Sequence, residues 1–142
     1  MEIASHLPLP VLLEPIQRFA TDATPNTRPI AAGAIGAIGG SRAVEALTPM
    51  LSDDDAVRAI VVEALGPIQW TEGAAELGTM LRDRSWAVRC MTGESLRALG
   101  PAGLLILRRY LKDDDRFARD MAQQMFDRVD VHARLEKPGL SA

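Results

Sequence analysis

A spacing of about thirty residues repeats through most of this 142-residue chain and limits the folds that it can adopt. Large apolar residues follow a recurring arginine at fixed offsets of seven and ten positions. A period of this length, kept through several copies, is typical of a solenoid in which each unit buries its apolar face against its neighbours. The recurring residues are Arg28, Arg58, Arg89 and Arg119, each preceded five or six positions earlier by an aspartate, namely Asp22, Asp53, Asp83 and Asp113.

Each repeat is predicted to contain two helices. The stretch 55–68 places its apolar residues at i, i+3, i+4, i+7, i+8 and i+11, which lie on one face of an α-helix. A second helix is predicted over 71–82, with Leu77 and Leu81 facing inward. The sequence therefore predicts an all-α protein, a right-handed α-α superhelix (an α-solenoid) of about eight helices.

The pattern divides a single domain, residues 1–142, into five segments and a tail. A helix over 8–20 acts as an N-terminal cap, equivalent to the second helix of an incomplete repeat, and Pro15 is expected to kink it. Three repeats follow, over 22–52, 53–82 and 83–112. Their helices are expected at 26–38 and 41–51, at 55–68 and 71–82, and at 85–99 and 101–111. A terminal helix over 113–130 precedes a fraying tail, 131–142.

The motif resembles the HEAT-like repeats of the phycobilisome-lyase type, over roughly residues 22–129. The residues that carry the resemblance are the aspartate-led turn, the arginine and the Leu65-Gly66 helix ending. Arg97 and Asp127 depart from it, since they stand where Gly36 and Gly66 stand in the first two copies. The resemblance implies a ladder between neighbouring units. Its members are Arg28, Arg58, Arg89 and Arg119 with Asp22, Asp53, Asp83 and Asp113.

Catalytic and metal chemistry find little support in the residues. His6 and His132 both lie outside the repeats, and no His-Glu pair or CxxC motif is present. Cys90 stands where Ala59 stands one repeat earlier, so a buried structural role is favoured over a nucleophile. The aspartate triplets 53–55 and 113–115 lack the spaced ligands of an EF-hand and are interpreted as helix caps. No catalytic residue, metal site or cofactor is predicted.

Composition and charge narrow the choice of partner. One cysteine, no apolar leader and no membrane-length apolar run favour the cytoplasm and make a membrane role unexpected. Residues 1–80 carry 4 basic and 10 acidic side chains, a net charge of −6, whereas the remainder carries 12 and 9, a net of +3. That excess is smaller than the basic stripe of a nucleic-acid binder, so nucleic acid is not expected as a partner.

The second helices are the expected binding surface, because they usually form the concave side of such solenoids. Met80 and Tyr110 occupy the same register position, where either packing or a half-exposed stripe is possible and packing is favoured. Leu105 and Ile106 replace residues that include glutamate in earlier repeats, and Arg109 shares their side of the helix. Burial by the terminal helix is the competing account. Trp70 and Trp86 are further candidate anchors or covers of an inter-repeat seam.

The expected function is a non-enzymatic interaction or scaffold module that binds a protein or peptide on its concave surface. A homo- or hetero-oligomer is compatible with this expectation. The alternative, which the resemblance implies, is a lyase-like or chaperone-like accessory subunit for tetrapyrrole attachment or enzyme maturation.

Overall fold

Eight α-helices and no strand make up the part of the chain that the computed structural model describes, which is residues 9–21, 24 and 26–135. The predicted all-α solenoid is therefore confirmed. The helices are α1 (Leu9–Ala20), α2 (Thr27–Ile38), α3 (Gly40–Leu47), α4 (Asp55–Ile68), α5 (Ala74–Thr79), α6 (Trp86–Ala98), α7 (Pro101–Tyr110) and α8 (Arg116–Leu135).

The helices form two rows around one core. In the first-helix row, α2, α4, α6 and α8 pack side by side, and α1 packs mainly against α2. In the second-helix row, α3 lies against α2 and α4, α5 lies against α6, and α7 lies against α5, α6 and α8. Leucines that recur with the repeat fill the space between the rows. The fully buried members of the two rows include Ile35, Leu47, Leu65, Leu77, Leu96 and Leu107.

The second helices are shorter than predicted. The second helix of the first repeat, α3, ends at Leu47. The chain continues as a 3₁₀ turn over Thr48–Ser52, because Pro49 lacks the amide hydrogen that an α-helical bond requires. The second helix of the second repeat, α5, is α-helical only between Ala74 and Thr79, with 3₁₀ turns on both sides. Gly73 and Gly78 weaken its two ends, since glycine is a poor helix former.

The terminal helix is longer than predicted. It runs to Leu135, so the first residues of the expected tail are helical. Residues 136–142 of that tail lie outside the described part of the chain, as do His6 and Asp22. Pro15 lies inside α1 and Pro67 lies inside α4, one residue before that helix ends.

The turns between the two helices of each repeat share one backbone feature. Gly39, Gln69 and Gly100 occupy the same register position, and their φ angles are 72°, 62° and 68°. Glycine adopts a positive φ readily, whereas other residues adopt it at a cost. The second turn therefore places a glutamine where its counterparts have glycine.

Candidate protein-binding surface

The first two ladder arginines bridge consecutive repeats. Arg28 lies 3.0 Å from a carboxylate oxygen of Asp53 and 2.9 Å from one of Asp54. Arg58 donates two hydrogen bonds to Asp83, of 2.8 and 2.9 Å, and a third to the carbonyl of Asp53. Each of these arginines therefore ties its own helix to the turn that begins the next repeat.

The ladder changes at its third step. Arg89 donates to the carbonyls of Asp83 and Arg84, at 2.8 and 3.0 Å, so it closes its own turn. Its guanidinium lies 4.7 Å from the ring centre of Phe117, which stands where earlier repeats carry Ala56 and Ala87. The carboxylate of Asp113 is held instead by Arg82, at 2.6 and 3.0 Å.

The fourth arginine also stays within its own turn. Arg119 donates to the carbonyls of Asp113 and Asp114, and no carboxylate partner of Arg119 is present among the described residues. The two C-terminal arginines thus make backbone contacts, where the resemblance implies carboxylate contacts between units.

Two of the ladder aspartates, Asp83 and Asp113, have lowered pKa values, which favour their charged forms. Burial tends to raise the pKa of Asp83, but hydrogen bonds from Arg58 and from the Ser85 amide outweigh it and lower that pKa. The hydrogen bond from Arg82 lowers the pKa of Asp113. A carboxylate whose pKa is depressed in this way acts as a structural anion and is poorly suited to general-acid chemistry near neutral pH.

Helix capping explains only part of the aspartate triplets. Asp115 accepts a 2.9 Å hydrogen bond from the amide of Ala118 and caps α8, as expected. Asp54 precedes α4 but makes no side-chain cap, and Asp53 is engaged by Arg28. No group of three or more His, Cys, Asp or Glu side chains among the described residues has an arrangement that could hold a metal ion.

One face of α7 forms an exposed stripe, which we call the α7 stripe. The side chain of Leu105 is 54% exposed, in contrast to the buried leucines of the core. Three cations accompany it, and none of the three makes an ion pair with any residue that the structure describes. The members of the stripe are Pro101, Leu105, Arg108 and Arg109 of α7 and Lys112 in the turn that follows α7, and they recur at helical spacing on one side.

Ile106 does not belong to this surface. It is only 7% exposed and packs against Gly78 of the preceding repeat, where a Cβ atom would lie 2.5 Å from its methyl group. The expectation that Ile106 contacts a partner is therefore wrong, because α5 approaches closely enough to cover it. Gly78 of α5, in the preceding repeat, contributes to this cover.

Met80 and Tyr110 are half-buried and pack against the core. The ring of Tyr110 also lies over Gly78, and Arg82 sits 5.9 Å from its centre. Burial raises the pKa of the Tyr110 hydroxyl, although Arg82 acts in the opposite direction. Of the five residues predicted to form the concave patch, Leu105 and Arg109 are the two that are exposed.

The two tryptophans lie in different environments. Trp86 begins α6 and is 60% exposed, and Phe117, one repeat later, is 56% exposed. Phe117 was not predicted as a surface residue, although its replacement of alanine in the repeat was a usable signal. Trp70 is half-buried and lines a cleft of about 320 Å³ between the first two repeats.

The first-helix row leaves some apolar residues partly or fully exposed, including Ile60, which the helical pattern placed on the apolar face of 55–68. Ile30 is 73% exposed, and Ile60 and Met91, its counterparts in the next two repeats, are half-buried. The apolar face of α4 is broader than the surface that its neighbours cover, and periodicity alone does not show this difference. Cys90 is buried, as expected.

Comparison with known proteins supports a HEAT-like repeat protein. Residues 2–66, slightly less than half of the chain, match the family model of HEAT repeats. A search of curated proteins found no match. Among the described residues, none of the helices combines the length and apolarity needed to cross a bilayer.

Proposed function

We propose that this HEAT-like repeat protein is a non-enzymatic interaction module that binds an acidic segment of a protein partner along the α7 stripe. HEAT repeats generally mediate protein–protein interaction, which supports the class of function. The observation that carries the proposal is the position of Leu105, an exposed leucine beside three cations without ion-pair partners among the described residues.

The composition of the stripe suits such a partner. An apolar side chain flanked by guanidinium groups is a combination found at energetic centres of interfaces. Arg108 and Arg109 can each donate several hydrogen bonds to a carboxylate, and Lys112 adds positive charge. The net charge of the whole chain is −3, so the stripe is a local exception that can steer an acidic segment to this helix.

Register-matched variants test the proposal. Leu105→Glu combined with Arg109→Glu removes the apolar contact and reverses one charge. The control, Ala75→Glu, introduces one glutamate at the exposed position of the preceding repeat that is equivalent to Leu105. The amount of each protein that the parent chain captures from native lysate should fall about tenfold or more with the double variant. The captured amounts should be unchanged with Ala75→Glu.

Unchanged thermal melting of both variants is required, and it is expected because the substituted residues are exposed. Capture of the same proteins in the same amounts by all three chains contradicts the proposal. A lyase-like or chaperone-like accessory role in tetrapyrrole attachment or enzyme maturation stays a prediction. The visible spectrum of a free bilin mixed with the protein tests that role.

A further inference from the structure

The cleft beside Trp70 is a second feature of the molecule that suits a ligand, and it lies apart from the α7 stripe. It opens where the start of α3 meets the end of α4 and the turn that follows. Its volume is about 320 Å³. The residues that line it are Gly40, Ser41, Val44, Glu45, Ile68, Gln69, Trp70 and Glu72.

The apolar wall of the cleft is rigid. Part of the Trp70 indole rests on Gly73, where a Cβ atom would come within 2.0 Å of the ring. Val44 and Ile68 are half-buried and pack against the core. An indole held by packing in this way offers a fixed, flat surface to a ligand, with little entropy left to lose on binding.

Two carboxylates add negative charge to the cleft beside this apolar wall. Glu45 and Glu72 are exposed, and neither makes an ion pair or a side-chain hydrogen bond with any residue in the described ranges. They belong to the first and second repeats respectively. The start of α3 and the end of α4 meet at this cleft, so the partial charges of the two helix ends offset each other. Arg42 lines a separate cleft on the α1 side of α3.

We infer that this cleft binds an arginine side chain carried by a peptide segment of a partner protein. The aliphatic part of an arginine contacts Val44 and Ile68, while its guanidinium lies over the indole of Trp70. The planar guanidinium has five N–H donors and can reach carboxylates on two sides, whereas an ammonium group is a compact charge. Binding one side chain to residues of two repeats also joins those repeats.

The inference is independent of the function proposed for α7. The α7 stripe is cationic and suits an acidic segment, whereas the cleft is anionic and suits a basic one. A negative result at one site therefore leaves the proposal for the other site unaffected.

Fluorescence of Trp70 provides a direct test. The chain has two tryptophans, so a Trp86→Phe background leaves Trp70 as the sole tryptophan. The probe is a short capped peptide of alanine and glycine with one central arginine, titrated into this background. Matched peptides carry lysine or the neutral isostere citrulline. Displacement of water from the indole by the guanidinium is expected to give a saturable shift of Trp70 emission.

Two sets of variants report on the carboxylates. Glu45→Gln combined with Glu72→Gln should weaken arginine-peptide binding by about tenfold, from the loss of two charge-assisted contacts. Glu76→Gln is the matched control, because Glu76 is an exposed glutamate of α5 that does not line the cleft. It should bind like the background protein.

The peptides and the control give outcomes that overturn the inference. Equal binding of the citrulline peptide shows that the positive charge is not recognised. Equal binding of the lysine peptide contradicts guanidinium recognition, and equal weakening by Glu76→Gln shows only general attraction to an acidic surface. If Trp70 emission is unchanged at a saturating concentration of the arginine peptide, the peptide does not bind in this cleft and the inference is overturned.

Discussion

At the scale of single residues, Gln69 combines an unfavourable backbone with a favourable side-chain contact. Its φ angle of 62° places a non-glycine residue in the left-handed region. Its side-chain amide donates to the carbonyls of Gly66 and Ala98, at 3.3 and 2.9 Å. One side chain therefore links the C-terminal ends of α4 and α6, which belong to consecutive repeats.

Substitutions of Gln69 separate these two effects. Gln69→Ala keeps the backbone strain and loses the link between repeats, so the free energy of unfolding should fall by about 1 kcal/mol. Gln69→Gly also loses the link but relieves a left-handed strain of about 1 kcal/mol, so it should stay close to the parent protein. Urea unfolding measures both. An alanine variant that is as stable as the glycine variant contradicts the assignment of strain.

The ion pair between Arg58 and Asp83 predicts a dependence of stability on pH. Because the pKa of Asp83 is lowered in the folded protein, its contribution is present above the ordinary carboxylate pKa and is lost as the pH falls through the lowered value. Arg58→Ala should lower the free energy of unfolding by about 1 kcal/mol at pH 7.

The difference between Arg58→Ala and the parent protein should shrink as the pH falls below about 4, where carboxylates begin to protonate. Thermal melting over a pH series measures this convergence. Arg42→Ala is the control, because Arg42 is exposed and makes no ion pair among the described residues. A constant difference between Arg58→Ala and the parent at every pH shows that the pair does not carry the effect.

At the scale of helices, small residues set the distance between neighbours of the first-helix row. A Cβ atom on Gly36 of α2 would lie 2.5 Å from the Cβ atom of Ala64 in α4. A Cβ atom on Gly33, one turn earlier on the same helix, would find its nearest neighbour at 3.9 Å. Both glycines lie inside α2, so the two positions differ mainly in the space available for a methyl group.

Alanine substitutions at these two glycines should have opposite signs. Gly33→Ala should raise the free energy of unfolding by up to about 1 kcal/mol, because alanine is the better helix former and the site is exposed. Gly36→Ala should lower it by about 1 to 3 kcal/mol, because the two helices must separate. Denaturant unfolding measures both variants. Stabilisation by both substitutions refutes the close contact between α2 and α4.

At the scale of the whole molecule, most helix contacts join elements of the same or adjacent repeats, and the contact of α8 with the 3₁₀ turn Met80–Arg82 reaches across one repeat. The free energy of unfolding of such an array is approximately the sum of the intrinsic stabilities of its repeats and the interaction energies between neighbouring repeats. The helices α4 and α6 have neighbours on both sides within their row. The helix α1 packs mainly against α2 and leaves Val11 and Phe19 more than half exposed.

This arrangement predicts a gradient of local stability. Amide hydrogen exchange, followed by mass spectrometry of proteolytic fragments, should show the strongest protection in α4 and α6 and weaker protection in α1. Gly36→Ala should speed exchange in α1 and α2 more than in α6 and α7. A uniform increase in exchange along the chain contradicts nearest-neighbour stability and indicates one cooperative unit.

The thirty-residue period was sufficient to predict the fold, because an apolar stripe on a short helix is stable only against an equivalent stripe. The ends of α4 agree with the predicted range 55–68, and α2, α6 and α7 differ from theirs by one residue at one or both ends. The short second helices were harder to place. Proline and glycine convert their ends to 3₁₀ turns without changing the apolar pattern.

Periodicity by itself determined which residues share a side of a helix, but only tertiary packing decided which of them meet solvent. Leu105 and Ile106 are adjacent in sequence, yet Gly78 lets α5 cover Ile106 and leaves Leu105 exposed. The ladder shows the same limit, since Arg89 repeats the motif but Arg82 takes the Asp113 carboxylate. Such choices depend on side chains about thirty residues apart that become neighbours only when the repeats stack.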